Sequence, residues 1–383
     1  MWTGLSLRCK QAVCNGCRRK SIAVTKEEVG VKKEDLSPSG TSLARLLSAR
    51  GSQASRRGFL YRAGLLGLAA PLGLAGCRGF GNSNSKPGLI RLAYGEAAVC
   101  QAPVALALKE GIFAKHRIDV ELVNIAAPEE LLQSLSTGKA DAGIGMIMSW
   151  LKPMEQGFDV QLVMGTHGGC SHLVGSKKAG VTDVKHLKGK TIAVSDVSGS
   201  SRNTFSILLS ENGIDPNKDV EWKTYPPPLL GMAVEKNTAQ AIAGGDPILY
   251  LIQKNSNGDL VEILSNLTPP WNDRVCCVLG VSGRLLRERR SEVRALASSL
   301  IEAADRTVEN PEATAAAFAP HTTASVADVT ILLRQETHCC HPTGRGLKHQ
   351  VVVFTNELQK VGVMKASTNP DNFAEHVVSD LFA

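Results

Sequence analysis

Short apolar runs alternate with helix-forming runs from Leu89 to Leu264, and this alternation strongly limits the folds open to the chain. A first cycle predicts strands at Leu89–Tyr94, Ile118–Asn124 and Ala142–Ile147, with glycine-terminated helices between them. A second cycle predicts strands at Thr191–Ser195, Val220–Thr224 and Ala239–Ala243. Strand–helix–strand alternation of this kind is typical of mostly parallel sheets covered by helices. The predicted fold class is therefore α/β.

Two such cycles followed by helices predict two lobes around a cleft. We place the first lobe at residues 88–177 and 273–383 and the second, inserted into the first, at residues 178–272. Helices predicted at Arg284–Glu309, Ser325–Arg334, Gln350–Val361 and Asn372–Leu381 would form a C-terminal cap. Ligands of open α/β sheets bind outside the carboxyl ends of the strands, so the loops that follow strands are the candidate binding segments.

The segment Ser55–Cys77, SRRGFLYRAGLLGLAAPLGLAGC, has the order of an export signal. Its apolar run from Ala63 to Leu74 is about 12 residues, whereas a membrane-spanning helix needs roughly 20. A charged head, a short apolar middle and small residues before a cleavage site are typical of secretory signals. The pair Arg56-Arg57 resembles the twin-arginine signal. The ending Leu-Ala-Gly-Cys resembles a lipobox, which implies a lipid on Cys77.

Charge and composition divide the chain at the same point. Residues 1–76 hold 13 Lys and Arg against 4 Asp and Glu, a balance of +9, so the rest of the chain carries −2 of the total of +7. The basic balance therefore belongs to the leader and is no argument for nucleic-acid binding. We predict a disordered extension at 1–54, a signal peptide at 55–76 and a flexible Gly/Asn/Ser linker at 77–87.

Several stretches in order resemble the nitrate/sulfonate/taurine group of ABC-transporter substrate-binding proteins, which includes relatives of thiamine-pyrimidine synthases. They are APVALALKEGIFAKHRIDVELV (Ala102–Val123), LLQSLSTGKADAGIG (Leu131–Gly145), VTDVKHLKGKTIAVSDVSGSS (Val181–Ser201) and LSENGID (Leu209–Asp215). The resemblance implies a type II periplasmic-binding-protein clamshell that captures a small molecule and passes it to a membrane permease. It implies no catalytic residues in the transport members.

Five loops would meet at the cleft of such a clamshell. The segment Ser198–Ser201 (SGSS) precedes a helix, whose free backbone N–H groups favour an anion, although a simple helix cap is the alternative. Asp246 stands near the position at which relatives carry an acidic residue facing the ligand, or it caps a helix. The predicted ligand-binding residues are Cys100, Gln101, Met146, Thr166, His167, Cys170, Ser198, Ser200, Ser201, Asp246, Cys276 and Cys277.

The cysteines depart from the usual pattern of that family. Thiolates and imidazoles are ligands for zinc, copper(I) or iron, and the metal-ligand candidates are Cys100, Cys170, His338, Cys339, Cys340 and His341. Disulfides are the alternative, one between Cys100 and Cys170 and one from Cys276 or Cys277 to Cys339 or Cys340. Inert packing is a third possibility. Because adjacent strand residues point to opposite faces, at most one of Cys276 and Cys277 is expected to face the cleft.

These observations predict a non-enzymatic, lipid-anchored, extracytoplasmic solute-binding protein that is monomeric and works with an ABC permease and ATPase. The ligand is expected to be small and anionic or sulfur-containing, and no cofactor is required. One alternative is a cysteine/histidine-based protein that binds a metal or a metal complex on the same fold. A thiamine-pyrimidine-synthase-like enzyme is another, although its pyridoxal-phosphate lysine would fall near Gly145, where no lysine stands.

Overall fold

The computed structural model describes residues 88–125 and 128–383. The predicted extension (1–54), signal peptide (55–76) and linker (77–87), with the lipidation residue Cys77, lie outside the described residues. Within the described residues, no helix is both long and apolar enough to cross a membrane.

The described part contains ten strands: β1 (Leu89–Tyr94), β2 (Asp119–Asn124), β3 (Ala142–Met146), β4 (Val160–His167), β5 (Ser171–Ser176), β6 (Lys190–Val194), β7 (Val220–Thr224), β8 (Ala241–Gly245), β9 (Leu260–Ser265) and β10 (Cys277–Ser282). Its α-helices are α1 (Ala102–Lys109), α2 (Ile112–Lys115), α3 (Pro128–Ser136), α4 (Ile147–Glu155), α5 (Ser200–Glu211), α6 (Leu230–Glu235), α7 (Ile248–Lys254), α8 (Gly283–Glu288), α9 (Arg290–Glu309), α10 (Pro311–Phe318), α11 (Val326–Gln335), α12 (Gly344–Lys360) and α13 (Pro370–Val377). Short 3-10 helices lie at Val99–Gln101, Val184–Leu187, Pro227–Leu229, Trp271–Asp273 and Ala319–His321.

The strands form two five-stranded mixed sheets with matching layouts. The first has the order β2-β1-β3-β10-β4, in which β1 runs parallel to β2 and β3 and β10 runs antiparallel to β3 and β4. The second has the order β7-β6-β8-β5-β9, in which β6 runs parallel to β7 and β8 and β5 runs antiparallel to β8 and β9. The predicted α/β class is confirmed.

One strand lies in a different sheet from the one predicted. We placed residues 88–177 in the first lobe, but β5 pairs with β8 and β9 in the second sheet. The chain therefore passes from the first sheet to the second at residues 168–170, directly after β4, and returns at residues 266–276, between β9 and β10. We call these two segments the crossovers. The exact division into lobes, with the second inserted into the first, stays a prediction.

The C-terminal helices differ in detail from the prediction. The single helix predicted at Arg284–Glu309 is wrong, because Arg289 interrupts it with φ −137° and ψ 41° and separates α8 from α9. The Arg289 guanidinium binds Glu292 and donates to the Leu89 carbonyl at 2.9 Å, which ties the break to the first sheet. Helix α12 begins at Gly344, six residues before the predicted start, and packs against both β4 and α5. It therefore contacts elements of both sheets.

Tight packing and ion pairs hold the first sheet to its helices. Trp150 of α4 is fully buried, and a Cβ on Gly280 of β10 would lie 2.8 Å from the Trp150 ring, so this strand position requires glycine. The carboxylate of Glu302 in α9 contacts three side chains, which we call the Glu302 cluster: Lys115, His116 and Arg306.

Candidate binding site at the crossovers

Four thiols and one imidazole meet where the crossovers join the two sheets. Cys100 lies in the 3-10 helix after β1, His167 ends β4, and Cys170 lies in the first crossover. Cys276 ends the second crossover and Cys277 begins β10. We call these five side chains, all at most 8% exposed, the thiol cluster.

The cysteines of the thiol cluster are free thiols, so the disulfide alternatives are wrong for them. The sulfurs of Cys170 and Cys276 are 3.6 Å apart, whereas a disulfide bond is about 2.05 Å long. Two sets of three ligand atoms each lie within 4.8 Å of one another, Cys100–His167–Cys277 and His167–Cys170–Cys276. Of Cys276 and Cys277, only Cys276 lines the adjoining cavity described below, which agrees with the expectation that at most one of them faces the cleft. Cys276 precedes the strand, and the β10–β4 register shifts between Cys277 and Val278.

The pKa is raised for three of the four thiols and lowered for the fourth. Hydrogen bonds from the Cys100 and Cys276 thiols lower the pKa of Cys277 despite its burial. The pKa of Cys100 is raised by its hydrogen bonds with Cys170 and Cys277 and by burial. For Cys170 and Cys276, one thiol hydrogen bond favours ionisation, but the second thiol contact and burial prevail and raise the pKa of each. The thiol cluster therefore favours one shared negative charge over several.

His167 of the thiol cluster and two further histidines, the buried His338 and the half-buried His341, are each anchored through one ring nitrogen. His167 Nδ1 lies 2.6 Å from the Gly168 carbonyl, His341 Nδ1 lies 3.2 Å from the Gly165 carbonyl, and His338 Nε2 lies 3.1 Å from a Glu336 carboxyl oxygen. The other ring nitrogen of each is buried and has no hydrogen-bond partner among the described residues. Burial lowers the pKa of all three imidazoles, so they are neutral at pH 7.

The segment from Glu336 to Thr343 is a loop, as Pro342 and Gly344 indicated, and it places His338 beside the thiol cluster. The ring centroids of His167 and His338 are 5.8 Å apart. Cys339 is disulfide-bonded, so the prediction that its sulfur is a metal ligand is wrong. Cys340 is half-buried and belongs to neither set of close ligand atoms.

A cavity adjoins the thiol cluster and is lined by β3, α4, α5, α12 and the two crossovers. Its lining includes Met146, Met148, Gly169, Thr204, Asn266, Trp271, Arg274, Cys276 and Phe354. Asn266 connects the two crossovers, because its Oδ1 accepts from the Cys170 and Ser171 N–H groups at 2.9 and 2.8 Å and its Nδ2 donates to Cys276 Sγ at 3.6 Å. Arg274 lies over the Trp271 ring at 4.1 Å and binds Glu357 at 2.6 Å.

The two sheet units touch directly beside this cavity. The Ser149 hydroxyl of α4 bonds the Ser200 hydroxyl at the start of α5, and Thr204 Oγ1 donates to Met148 Sδ at 3.6 Å. The Val99 N–H donates to the Asp246 carbonyl at 3.4 Å. The cavity is therefore bounded by contacts between the units.

Residues 84–320, more than half of the chain, match the NMT1-like family. The chain belongs to the NMT1-like family.

The described structure is similar to the alkanesulfonate-binding protein SsuA from Xanthomonas axonopodis pv. citri bound to MOPS, with 18% identity, a TM-score of 0.65, and coverage of 77% of this chain and 99% of that one. It is also similar to the aliphatic sulphonate binding protein SsuA from Escherichia coli, with 14% identity, a TM-score of 0.64, and coverage of 76% and 92%. The nitrate-binding protein NrtA from Synechocystis PCC 6803 gives 15% identity, a TM-score of 0.60, and coverage of 76% and 86%. No curated protein matches the sequence. The family resemblance and the periplasmic-binding-protein fold are confirmed.

The remaining predicted ligand residues of this NMT1-like chain lie in different places. Gln101 and Thr166 line a second small cavity beside Cys100, and Gln101 Oε1 accepts from the Gly95 N–H at 3.0 Å. Of the SGSS segment, Ser200 is buried against Ser149, whereas Ser198 is exposed and Ser201 is half-buried. The residue before α5 is Gly199 and makes no side-chain cap, so the alternative of a serine cap is wrong.

Asp246 belongs to an acidic–histidine group at the edge of the same region. Its carboxylate lies 3.1 Å from His172 Nε2, and Glu262 lies 2.5 Å from His172 Nδ1. Burial alone would lower the pKa of His172, but the two carboxylates prevail and raise it to about 10. The other Asp246 oxygen accepts from the Tyr250 N–H at 3.2 Å in the first turn of α7. Asp246 therefore already has two partners within its own unit.

A polar contact outside the cavity joins the second sheet unit to the C-terminal helices. Asp328 of α11, 6% exposed, accepts a hydrogen bond from the Tyr250 hydroxyl at 3.0 Å and an ion pair from Lys254 at 2.6 Å. Both partners lie on α7, whereas α11 packs on α10 and on the 3-10 helix at Val99–Gln101. We call this contact the α7–α11 latch.

Sequence reasoning missed Asn266 and Arg274, which lie in the second crossover, and gave Trp271 only a role in shaping the hinge or rim. All three residues lie in a turn-rich segment between two strands that belong to different sheets, and this location could have indicated their role.

Proposed function

We propose that this NMT1-like protein is an extracytoplasmic solute-binding protein that captures a small molecule between two lobes and delivers it to an ABC importer. The observation that carries the proposal is the small cavity at the crossovers, which is lined by residues of both sheet units. Two units joined by short crossovers can rotate about them, and a ligand that contacts both favours the closed arrangement. This role requires binding and release and no chemical step, in agreement with the predicted absence of catalytic residues.

The ligand we propose is small and anionic or sulfur-containing. The first turn of α5 faces the other unit through Ser200, and backbone N–H groups at a helix start favour anionic groups. Three sulfur-containing residues, Met146, Met148 and Cys276, line the adjoining cavity. Similar proteins named for alkanesulfonates and nitrate support an anionic ligand by analogy of fold.

The proposed location follows from the leader. Arg56 and Arg57 would direct twin-arginine export, and Cys77 would carry the lipid that anchors the protein to the membrane. There the protein would work as a monomer with a permease and ATPase pair. An Arg56→Lys/Arg57→Lys variant should stay in the cytoplasm, and Cys77→Ala should be exported without lipid. Membrane association of Cys77→Ala equal to that of the wild type would refute the anchor.

Ligand capture is tested by native mass spectrometry of the protein isolated from its own cells, followed by thermal-shift titration with alkanesulfonates, taurine and nitrate. We expect one bound small molecule, and a rise in melting temperature with one of these compounds that Ser200→Ala weakens. Ser198→Ala is the matched control, because Ser198 is exposed on the same segment. A protein that carries no ligand and is stabilised by none of the compounds would contradict the proposal.

A further inference from the structure

His167 presents a ring nitrogen that is prepared to bind a cation. Its Nδ1 lies 2.6 Å from the Gly168 carbonyl oxygen, which can only accept a hydrogen bond, so Nδ1 carries the proton and Nε2 carries the lone pair. His167 is 1% exposed, and Nε2 has no partner among the described residues. Metal-binding histidines are oriented in this way, by donating the second ring N–H to a carbonyl or carboxylate.

The sulfurs of Cys170 and Cys276 have the spacing of two ligands to one metal ion. Two thiolates that are each about 2.3 Å from a metal lie roughly 3.8 Å apart in tetrahedral and about 4.0 Å apart in trigonal geometry, and these sulfurs are 3.6 Å apart. Both belong with His167 to a set of ligand atoms within 4.8 Å of one another. Cys276 Sγ also accepts from Asn266 Nδ2, and Cys170 Sγ lies 3.9 Å from the Ser171 hydroxyl. Such outer hydrogen bonds orient thiolate ligands.

The ligand number and the surrounding atoms favour copper(I) over zinc. Structural zinc sites use four protein ligands, whereas each set of close ligand atoms in the described residues has three members, two thiols and His167. Copper(I) accepts three ligands and prefers thiolate and thioether sulfur. Two further residues with thioether sulfurs, Met146 and Met148, line the cavity that Cys276 also lines.

We propose that His167 Nε2, Cys170 Sγ and Cys276 Sγ hold one copper(I) ion. Each thiol that coordinates the ion releases its proton to solvent, and no electron is transferred. Cys100 and Cys277 belong with His167 to the other set of close ligand atoms, and Cys277 hydrogen-bonds the Cys276 sulfur. The inference does not depend on the importer proposal, because it concerns a metal site of this chain whatever else the cavity binds.

The test uses the full chain, reduced and kept free of oxygen, with copper(I) supplied as its acetonitrile complex. We expect one copper per chain after gel filtration, retained against the chelator bicinchoninate. X-ray absorption of the copper complex should show two sulfur ligands and one nitrogen ligand. When zinc is added together with copper(I) under the same conditions, the protein should not retain one zinc per chain.

Variants assign the ligands. Cys170→Ser and Cys276→Ser should each weaken copper(I) binding by about 100-fold or more, and His167→Gln should remove the nitrogen ligand from the absorption spectrum. Cys340→Ser is the matched control and should bind as the wild type does, since Cys340 lies outside both sets. Circular dichroism verifies that each variant is folded, and the wild-type spectrum tests the ligand set even where a variant does not fold.

Three results would overturn the inference. Wild-type protein that elutes without copper refutes the site. Zinc retained in place of copper(I) refutes the choice of ion. Loss of copper in Cys100→Ser and Cys277→Ser, with full binding in Cys276→Ser, refutes the ligand set.

Discussion

Removal of the Tyr250 hydroxyl tests whether the α7–α11 latch holds the two units together. In Tyr250→Phe the ring stays and only the hydrogen bond to Asp328 is lost. This bond joins a neutral donor to a carboxylate at a half-buried position, so its loss should cost about 1–2 kcal/mol. If the bond exists only in the closed arrangement, the closed-to-open ratio should fall by about 5- to 30-fold. Asp328 itself is a poorer target, because it also accepts from the Ser325 hydroxyl at the start of α11.

The assay is the distance distribution between two fluorophores on different units, measured without ligand. Leu108 on α1 is 56% exposed, and the side chain of Lys218, before β7, is 83% exposed. Labels introduced there through non-canonical amino acids leave the buried thiols untouched. We expect two distance populations, with the population of the described arrangement reduced in Tyr250→Phe.

Tyr225→Phe is the matched control. The Tyr225 hydroxyl donates to Thr238 Oγ1 at 3.1 Å, and both residues lie in the second sheet unit. This substitution should leave the distance distribution unchanged. Equal distributions in wild type and Tyr250→Phe would show that the latch does not control opening, and an equal shift in the two variants would show that the effect is not specific to the latch.

Three further predictions concern the first crossover, the Glu302 cluster and the second crossover. Gly169→Ala should lower the free energy of unfolding in urea by about 2–4 kcal/mol, because a Cβ there would overlap the Asn266 carbonyl. Gly244→Ala, with only ordinary contact nearby, should change it by less than about 1 kcal/mol, and equal effects would contradict the argument. The hydrogen-bonded side chains around Glu302, of which Lys115 has the largest effect, lower the pKa of Glu302 to about 2. The stability that the ionised Glu302 contributes is therefore fully present above pH 4.5 and is lost as the pH falls through 2. Between pH 5 and pH 2 the wild type should lose about 1–2 kcal/mol more stability than Glu302→Gln in urea titrations, and parallel curves would refute this. Trp271→Phe should cost about 1–2 kcal/mol by removing the Nε1 hydrogen bond to Glu211 at 3.1 Å, and an unchanged urea midpoint would show that the bond is not stabilising.

The strands were predictable because their signal is local. A buried strand is a short run of apolar residues bounded by turn residues, and β1 and β7 have the bounds that the sequence predicts. Strand β8 begins and ends two residues later than predicted, because Gly244 and Gly245 are typical of a loop. In the structure both glycines continue the strand and pair with His172 and Ser171 of β5. Pairing with a partner 70 residues away overrode the local preference of glycine.

The sheet to which a strand belongs is not local information. The sequence of β5, SHLVGS, does not indicate its sheet, and only its hydrogen bonds to β8 and β9 place it in the second sheet. Helix α10 is a different case, since Asn310-Pro311 is a start signal that the sequence analysis passed over. Asn310 does cap this helix by accepting from the Ala313 N–H at 3.0 Å.

The thiol cluster shows where sequence reasoning reaches its limit. Cys100 and Cys170 could be assigned to loops of the cleft, because each follows a predicted strand. Cys276 and Cys277 both join the cluster because Cys276 ends the crossover before β10 and the β10–β4 register shifts after Cys277, which residue spacing does not indicate. Asn266 had no signature either, yet its one amide binds the backbone of the first crossover and the Cys276 sulfur of the second. The cluster is therefore assembled by the contact between the two crossovers, and the residue that carries this contact is neither a cysteine nor a histidine.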